Sequence, residues 1–267
     1  MGRPPLWNRF PPVAIVVGLL LAGCGGAGCG GTGDDDPSPA TASLSGTVTV
    51  LAAASLTGAF GEIATAFEAD NEGVDVQLSF DGSAKLATVI IEGAPADLFA
   101  SADQPNMDKV GDADRLTGEE SIFATNVLQI VVAEGNPLGI DSLEDLTEGD
   151  VALSLCGAEV PCGKYAAQAF DNAGLITPAA GDQESVKGVL TQVQLGEADA
   201  GIVYLTDGLA ADGVEGVDLA ADAQVEATYP ASVLADASNP AAATAFLAFL
   251  TGDEAQAILE RFGFGPP

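Results

Sequence analysis

Residues 47–67, TVTVLAAASLTGAFGEIATAF, decide the fold class. Thr47 to Leu51 is a run of β-branched and apolar residues and reads as a strand. Small residues follow, and Ala59, Phe60, Ile63, Ala64 and Phe67 then recur at helical spacing. A strand, a small-residue turn and an amphipathic helix form the repeating unit of an α/β sheet.

Outward from that stretch the pattern repeats. Val74 to Phe80 alternates as a strand, and Gly82-Ser83 opens a helical pattern through Leu86, Val89 and Ile90. Asp97 to Ser101 is a third short strand, so the expected sheet is parallel. Val127 to Ala133 reads as a buried strand broken by Asn136-Pro137. A second unit follows, with strands at 151–155 and 201–204 and helices at 163–173 and 184–195. Short strands are expected at 217–219 and 231–234, and helices at 240–250 and 253–261 close the chain. Extended segments near 124–134 and 225–235 predict two crossovers between two lobes. Lobe 1 is assigned 47–127 and 232–267, and lobe 2 is assigned 128–231.

The N-terminus reads as an address. Residues 1–23 carry Arg3 and Arg9 ahead of VAIVVGLLLA (13–22), an apolar run too short to span a bilayer and suited to a secretory signal. Leu21-Ala22-Gly23-Cys24 resembles a bacterial lipobox, so Cys24 is the expected lipidation site; Gly26-Ala27-Gly28-Cys29 is the weaker rival, lacking the leucine. Residues 24–46, rich in Gly, Ser, Thr, Pro and Asp, are expected to form a flexible tether. The expected location is outside the cell membrane, anchored to its outer face by lipid on Cys24.

Composition narrows the function. The chain has 8 basic and 39 acidic residues in 267, a formal net charge of −31. Nucleic-acid binding is not expected, because phosphate contacts need basic side chains. Histidine is absent, which removes the usual proton shuttle and the commonest metal ligand, and no cation site is expected.

Ligands of open α/β sheets sit beyond the carboxyl ends of strands, where helix N-termini present unpaired N–H groups and partial positive charge. Five places fit that geometry: the turns carrying Ser55 and Ser83, the stretch Val160-Pro161-Cys162-Gly163-Lys164-Tyr165 at the start of the 163–173 helix, Val186 in a first helical turn, and Tyr204 at a strand end. Each serine also reads as a simple helix cap, and Tyr204 as a packing residue.

These residues resemble the molybdate-binding proteins of ABC transporters. The likeness rests on VTVLAAASLTGAF (48–60), SFDGSAKLA (79–87), GAPADLFASAD (93–103), VPCGKYA (160–166), GEADAGIVYLTD (196–207) and RFGFG (261–265). It implies a two-lobed type II periplasmic-binding-protein fold with a ligand cleft between the lobes. It also implies capture of molybdate, and of tungstate, for delivery to an ABC permease, with no cofactor and no catalysis. By motif, Ser55 and Ser83 would supply hydroxyls from the first lobe. The N–H groups of Cys162 and Val186 and the Tyr204 hydroxyl would come from the second. Family members often have Ala at the position of Cys162 and a small residue at that of Asp81. The protein is expected to act as a monomer.

A pocket of N–H and O–H donors suits an anion that only accepts hydrogen bonds. Molybdate, tungstate and sulfate do so at neutral pH; hydrogen phosphate must also bury an O–H, at a cost of about 1–3 kcal/mol. Sulfate must be excluded by size, and another tetrahedral oxyanion such as sulfate or phosphate is the alternative ligand. Lys85 and Lys164 are expected at the rim. Cys156 and Cys162 flank a turn in an exported chain and are expected to form a disulfide. Two further readings compete: a secreted enzyme using Asp97 and Asp103 as acid and base, and a sensing domain for a membrane receptor.

Overall fold

The computed structural model describes residues 43–180 and 182–267. The expected signal, lipidated Cys24, Cys29 and all of the tether before residue 43 lie outside the described residues.

The elements alternate as the hydrophobic periodicity demands. β1 (Gly46–Ala53) turns through a 3-10 segment, Ala54–Leu56, into α1 (Thr57–Asp70). β2 (Val74–Asp81), α2 (Ser83–Ile91), β3 (Leu98–Ala100) and α3 (Gln104–Asp112) follow. β4 (Leu116–Ala133) is an 18-residue strand. Beyond it come β5 (Leu153–Ser154), α4 (Pro161–Asn172), α5 (Val186–Gln194), β6 (Ala200–Tyr204), α6 (Leu205–Leu209) and β7 (Val214–Asp218). β8 (Glu226–Leu234), α7 (Pro240–Leu250) and α8 (Asp253–Arg261) end the chain.

The strands hydrogen-bond in the order β2-β1-β3-β8-β4-β6-β5, with β7 also on β4. β1 pairs in parallel with β2 and β3, and β5 with β6. The sheet is nevertheless mixed, which corrects the expectation of parallel strands. β8 runs antiparallel to β3 and to the first part of β4, and β6 and β7 run antiparallel to the rest of β4. The reason is β4 itself. Leu116–Val127 pairs with β8, and Leu128–Ala133 then pairs with β6 and β7, so one strand belongs to both halves of the sheet. Sequence periodicity found only its buried end, because residues 116–122 are mostly exposed or half-buried.

Burial accounts for the pairing of each half with its helices. Val48, Val50, Phe60, Ile63 and Phe67 are buried under α7, whose Phe246 ring lies 6.3 Å from Phe60 and 5.2 Å from Phe67. The closing helix α7 therefore packs on the first half of the sheet. Ile130, Val131, Ile202 and Val203 are buried with Phe170 of α4 and Val189 of α5 in the second half. Among the described residues no helix is long and apolar enough to cross a membrane.

Candidate functional site

Each small-residue turn after a strand ends in the first turn of a helix. Ser55 lies in the 3-10 turn after β1. Ser83 is the first residue of α2, after the extended Gly82. Cys162 follows Pro161 at the start of α4, where proline sacrifices no helical hydrogen bond. Val186 opens α5 behind Ser185, which accepts from Gly188 N–H as a cap. Tyr204 ends β6 and caps α6. First-turn N–H groups have no partner within their own helix, so these turns present donors.

The structure brings all five sequence-predicted residues to one cavity. Its walls also include Ala53, Ala54, Gly82, Ala102, Val160, Pro161 and Ser185. Among the described residues no lysine, arginine, aspartate or glutamate lines it. The alanine, valine and proline walls bring no side-chain hydrogen-bonding group to compete with the donors.

Hydrogen bonding fixes what the side chains can offer. Ala102 N–H donates to Ser83 Oγ at 3.0 Å, both buried, so the Ser83 hydroxyl hydrogen remains to be spent. Tyr204 is 1% exposed and its hydroxyl has no protein partner. Burial pushes the Tyr204 phenol well above its ordinary value, with nearby tyrosines and carboxylates adding to the shift, so it stays an O–H donor.

Charge is present around the cavity but is spent in pairs. Asp81 accepts Lys85 at 2.7 Å and Gly82 N–H at 2.8 Å. Asp81 is only partly exposed, and its carboxylate belongs to a local ion pair. Asp103 accepts Lys164 at 3.3 Å. Lys187 lies 2.7 Å from the fully buried Asp207, whose carboxyl burial pushes up against the opposing pull of that ammonium. Lys85, Lys164 and Lys187 thus neutralise carboxylates beside the cavity. Of the three other basic residues beyond Arg9, Lys109 pairs with Glu159, Arg115 with Asp236 and Arg261 with Glu62.

Three of these lysines reach between segments far apart in sequence and on opposite sides of the cavity. Lys164, beside Cys162, reaches Asp103; Lys85 in α2 reaches Glu184 at 3.6 Å; Lys109 in α3 reaches Glu159 at 3.6 Å. Only Lys164–Asp103 involves a buried carboxylate, 2% exposed in its side chain. Lys164→Gln should therefore lower ligand affinity about fivefold, a loss of roughly 1 kcal/mol. Lys109→Gln should change it less than twofold. Calorimetry in low and high salt checks this, since the Lys164 effect should shrink as salt rises.

Close backbone approach completes the site. A Cβ on Gly82 would run into the carbonyl oxygen of Glu184, just before α5. A Cβ on Gly163 would run into the carbonyls of Cys156 and Gly157, so only glycine lets α4 start this close to the preceding loop. Cys156 and Cys162 are joined by a disulfide with Cα atoms 5.7 Å apart. Replacing both by serine should cost about 2 kcal/mol and lower Tm by roughly 4–8 °C. Ligand affinity should fall only a few-fold, because the Cys162 N–H survives. Differential scanning calorimetry and titration of the double variant check this.

The carboxylate pair considered for catalysis is committed elsewhere. Burial pushes Asp97 up, but hydrogen bonds from Thr49 N–H, Asn239 N–H and Ser238 O–H outweigh it and hold the carboxyl below the usual range. Asp103 caps α3 through Asn106 N–H. Neither lines the cavity. Sequence reasoning missed the wall residues, which carry no chemical signature. It also missed Tyr229 and Asn126, which sit behind Ser55: Tyr229 Oη is 3.0 Å from Ser55 Oγ.

Residues 48–265 match the family of bacterial extracellular solute-binding proteins. A Mycobacterium tuberculosis protein named molybdate-binding protein ModA is 39% identical over 254 residues, covering 95% of this chain and 97% of its own. The Escherichia coli protein of the same name is 38% identical over 231 residues, covering 82% and 89%. The Azotobacter vinelandii periplasmic molybdate-binding protein superposes with a TM-score of 0.71 at 21% identity, over 82% of this chain and 99% of that one, a likeness of fold.

Proposed function

The chain belongs to the bacterial extracellular solute-binding proteins, and from that premise we propose that it captures molybdate outside the membrane and delivers it to an ABC permease. Its fold is the two-lobed type II arrangement of that class. The assigned lobes are 47–127 with 232–267, and 128–231, joined by β4 and β8. The observation that carries the reading is the cavity lined by five neutral donor positions and, among the described residues, no charged side chain.

The ligand set is Ser55 Oγ, Ser83 Oγ, the N–H groups of Cys162 and Val186, and Tyr204 Oη. Both chemistry and electrostatics support it. Molybdate offers lone pairs in every direction and no hydrogen, so a shell of donors satisfies it. Helices α2, α4 and α5 add the positive ends of their dipoles, each equivalent to roughly half a charge. An arginine or lysine on the ligand would form an ion pair that must break on release to the permease. Neutral donors avoid that step. Tungstate, nearly the same size, fits the same shell. Sulfate has the right hydrogen-bond character but is smaller and leaves donors too far away. Hydrogen phosphate brings a hydrogen for which the shell holds no acceptor.

The secretory signal at 1–23, lipid on Cys24 and the tether at 24–46 place the body at the outer face of the membrane, within reach of a permease. The protein acts as a monomer, one cavity per chain.

Titration calorimetry on the mature chain tests the reading. Molybdate and tungstate should bind at one per chain with comparable affinity. Sulfate should be at least about tenfold weaker, and hydrogen phosphate weaker by about one to two decades. Phosphate or sulfate binding more tightly than molybdate would overturn the assignment.

A further inference from the structure

We propose that Tyr229 is a positioning residue that fixes the Ser55 hydroxyl as a donor to the bound anion, and that Asn126 sets the direction of the hydrogen bonds leading to it. The inference rests on the anion-binding reading above and extends it to residues outside the cavity wall.

The direction follows from one backbone group. Val127 N–H can only donate, and its partner at 2.9 Å is Asn126 Oδ1. The other end of that amide is therefore Nδ2, which carries only hydrogens. It lies 2.9 Å from Thr206 Oγ1 and 3.4 Å from Tyr229 Oη. Tyr229 is fully buried. Its phenol oxygen faces Nδ2, which cannot accept, and Ser55 Oγ at 3.0 Å, which can. The phenol hydrogen thus goes to Ser55 Oγ, since a buried O–H must find an acceptor. With the phenol donating to one of its two lone pairs, the Ser55 hydroxyl does not spend its own hydrogen on Tyr229 and directs it to the cavity it lines.

The other serine has the same arrangement built differently. Ala102 N–H, an obligatory donor, occupies the Ser83 oxygen at 3.0 Å. A peptide N–H does for Ser83 what a phenol does for Ser55. Burial pushes the Tyr229 phenol far up, so it keeps its hydrogen near neutral pH. Both serines therefore keep a hydroxyl hydrogen to present to the cavity. A fully deprotonated oxyanion is matched, whereas one that carries a hydrogen meets two hydroxyls already presenting theirs. Tyr229 acts on specificity through Ser55 without touching the ligand.

A double-mutant cycle on the mature chain tests this, with Tyr229→Phe, Ser55→Ala and both together, titrated with molybdate and with phosphate near neutral pH. Tyr229→Phe keeps the ring and its packing, and thermal melting of each variant monitors folding. In the otherwise native chain it should weaken molybdate about tenfold. In the Ser55→Ala background it should change molybdate affinity less than about twofold. The ratio of molybdate to phosphate affinity should narrow about tenfold, because a released Ser55 can accept from hydrogen phosphate. Equal losses in both backgrounds, an unchanged ratio or no effect would overturn the relay. If the native chain binds sulfate in preference to molybdate, the ligand assignment fails and the same cycle on sulfate decides the relay. A native chain binding no oxyanion overturns both.

Discussion

Alanine at both Ser55 and Ser83 should weaken molybdate binding by about two orders of magnitude while the chain stays folded. Each hydroxyl is a donor to a dianion, a hydrogen bond worth roughly 1.5–3 kcal/mol. The loss should fall on binding more than on folding, but not on binding alone. Ser83 Oγ accepts from buried Ala102 N–H and Ser55 Oγ contacts Tyr229 Oη, so alanine strands a buried donor at each position. A drop of about 1–3 kcal/mol per site in the ligand-free protein is therefore expected. Circular dichroism and thermal melting separate the two effects. Native-like affinity in a folded double variant would remove both serines from the site.

Gly82→Ala should give the opposite pattern, with binding lost and stability kept or improved. Gly82 has φ −60° and ψ 134°, a conformation alanine adopts without strain. Replacing glycine at such a position commonly stabilises by about 0.4–1 kcal/mol through the unfolded chain. The added methyl, however, runs into the Glu184 carbonyl, which immediately precedes Ser185 and Val186. The first turn of α2 and that of α5 must then separate, and donors from the two sides can no longer reach one anion. Apparent affinity falls by the fraction of molecules still able to close, and a hundredfold loss corresponds to about 2.7 kcal/mol against closure. An unchanged or higher Tm without ligand, together with a weakened thermal shift on adding molybdate, is the expected result. Native binding would show that the two turns need not meet.

Most of the site was legible because its signals are local. Ser55 and Ser83 sit where a run of strand pattern gives way to helix, Cys162 and Val186 where a helical pattern opens, and Tyr204 where a strand pattern ends, and neighbours within a few residues suffice to see it. The Cys156–Cys162 bridge joins residues six apart and was visible for the same reason. What stayed hidden depends on distance in sequence. Tyr229 lies 174 residues from Ser55, and Lys164 lies 61 from Asp103; no periodicity links such positions. The first half of β4 was missed because a half-exposed strand carrying Gly118, Glu119 and Glu120 lacks a continuous apolar run. α6 has five residues, too short for a helical repeat to register. The mixed sheet was missed with β4, since only a strand shared by both halves imposes antiparallel neighbours on otherwise parallel units.

An acidic protein that binds an anion is less contradictory than its net charge suggests. The carboxylates next to the cavity, Asp81, Asp103 and Asp207, each have a lysine within ion-pair distance. What faces the ligand is peptide and hydroxyl dipoles, whose field acts over the short distances that matter inside a closed pocket.

A crystal structure of the mature chain grown with molybdate is the most direct measurement. One anion should lie with its oxygens within hydrogen-bonding distance of Ser55 Oγ, Ser83 Oγ, Cys162 N, Val186 N and Tyr204 Oη, and with every lysine and arginine beyond reach. Molybdate gripped by Lys85, Lys164 or Lys187, or seated elsewhere with this cavity empty, would contradict the account.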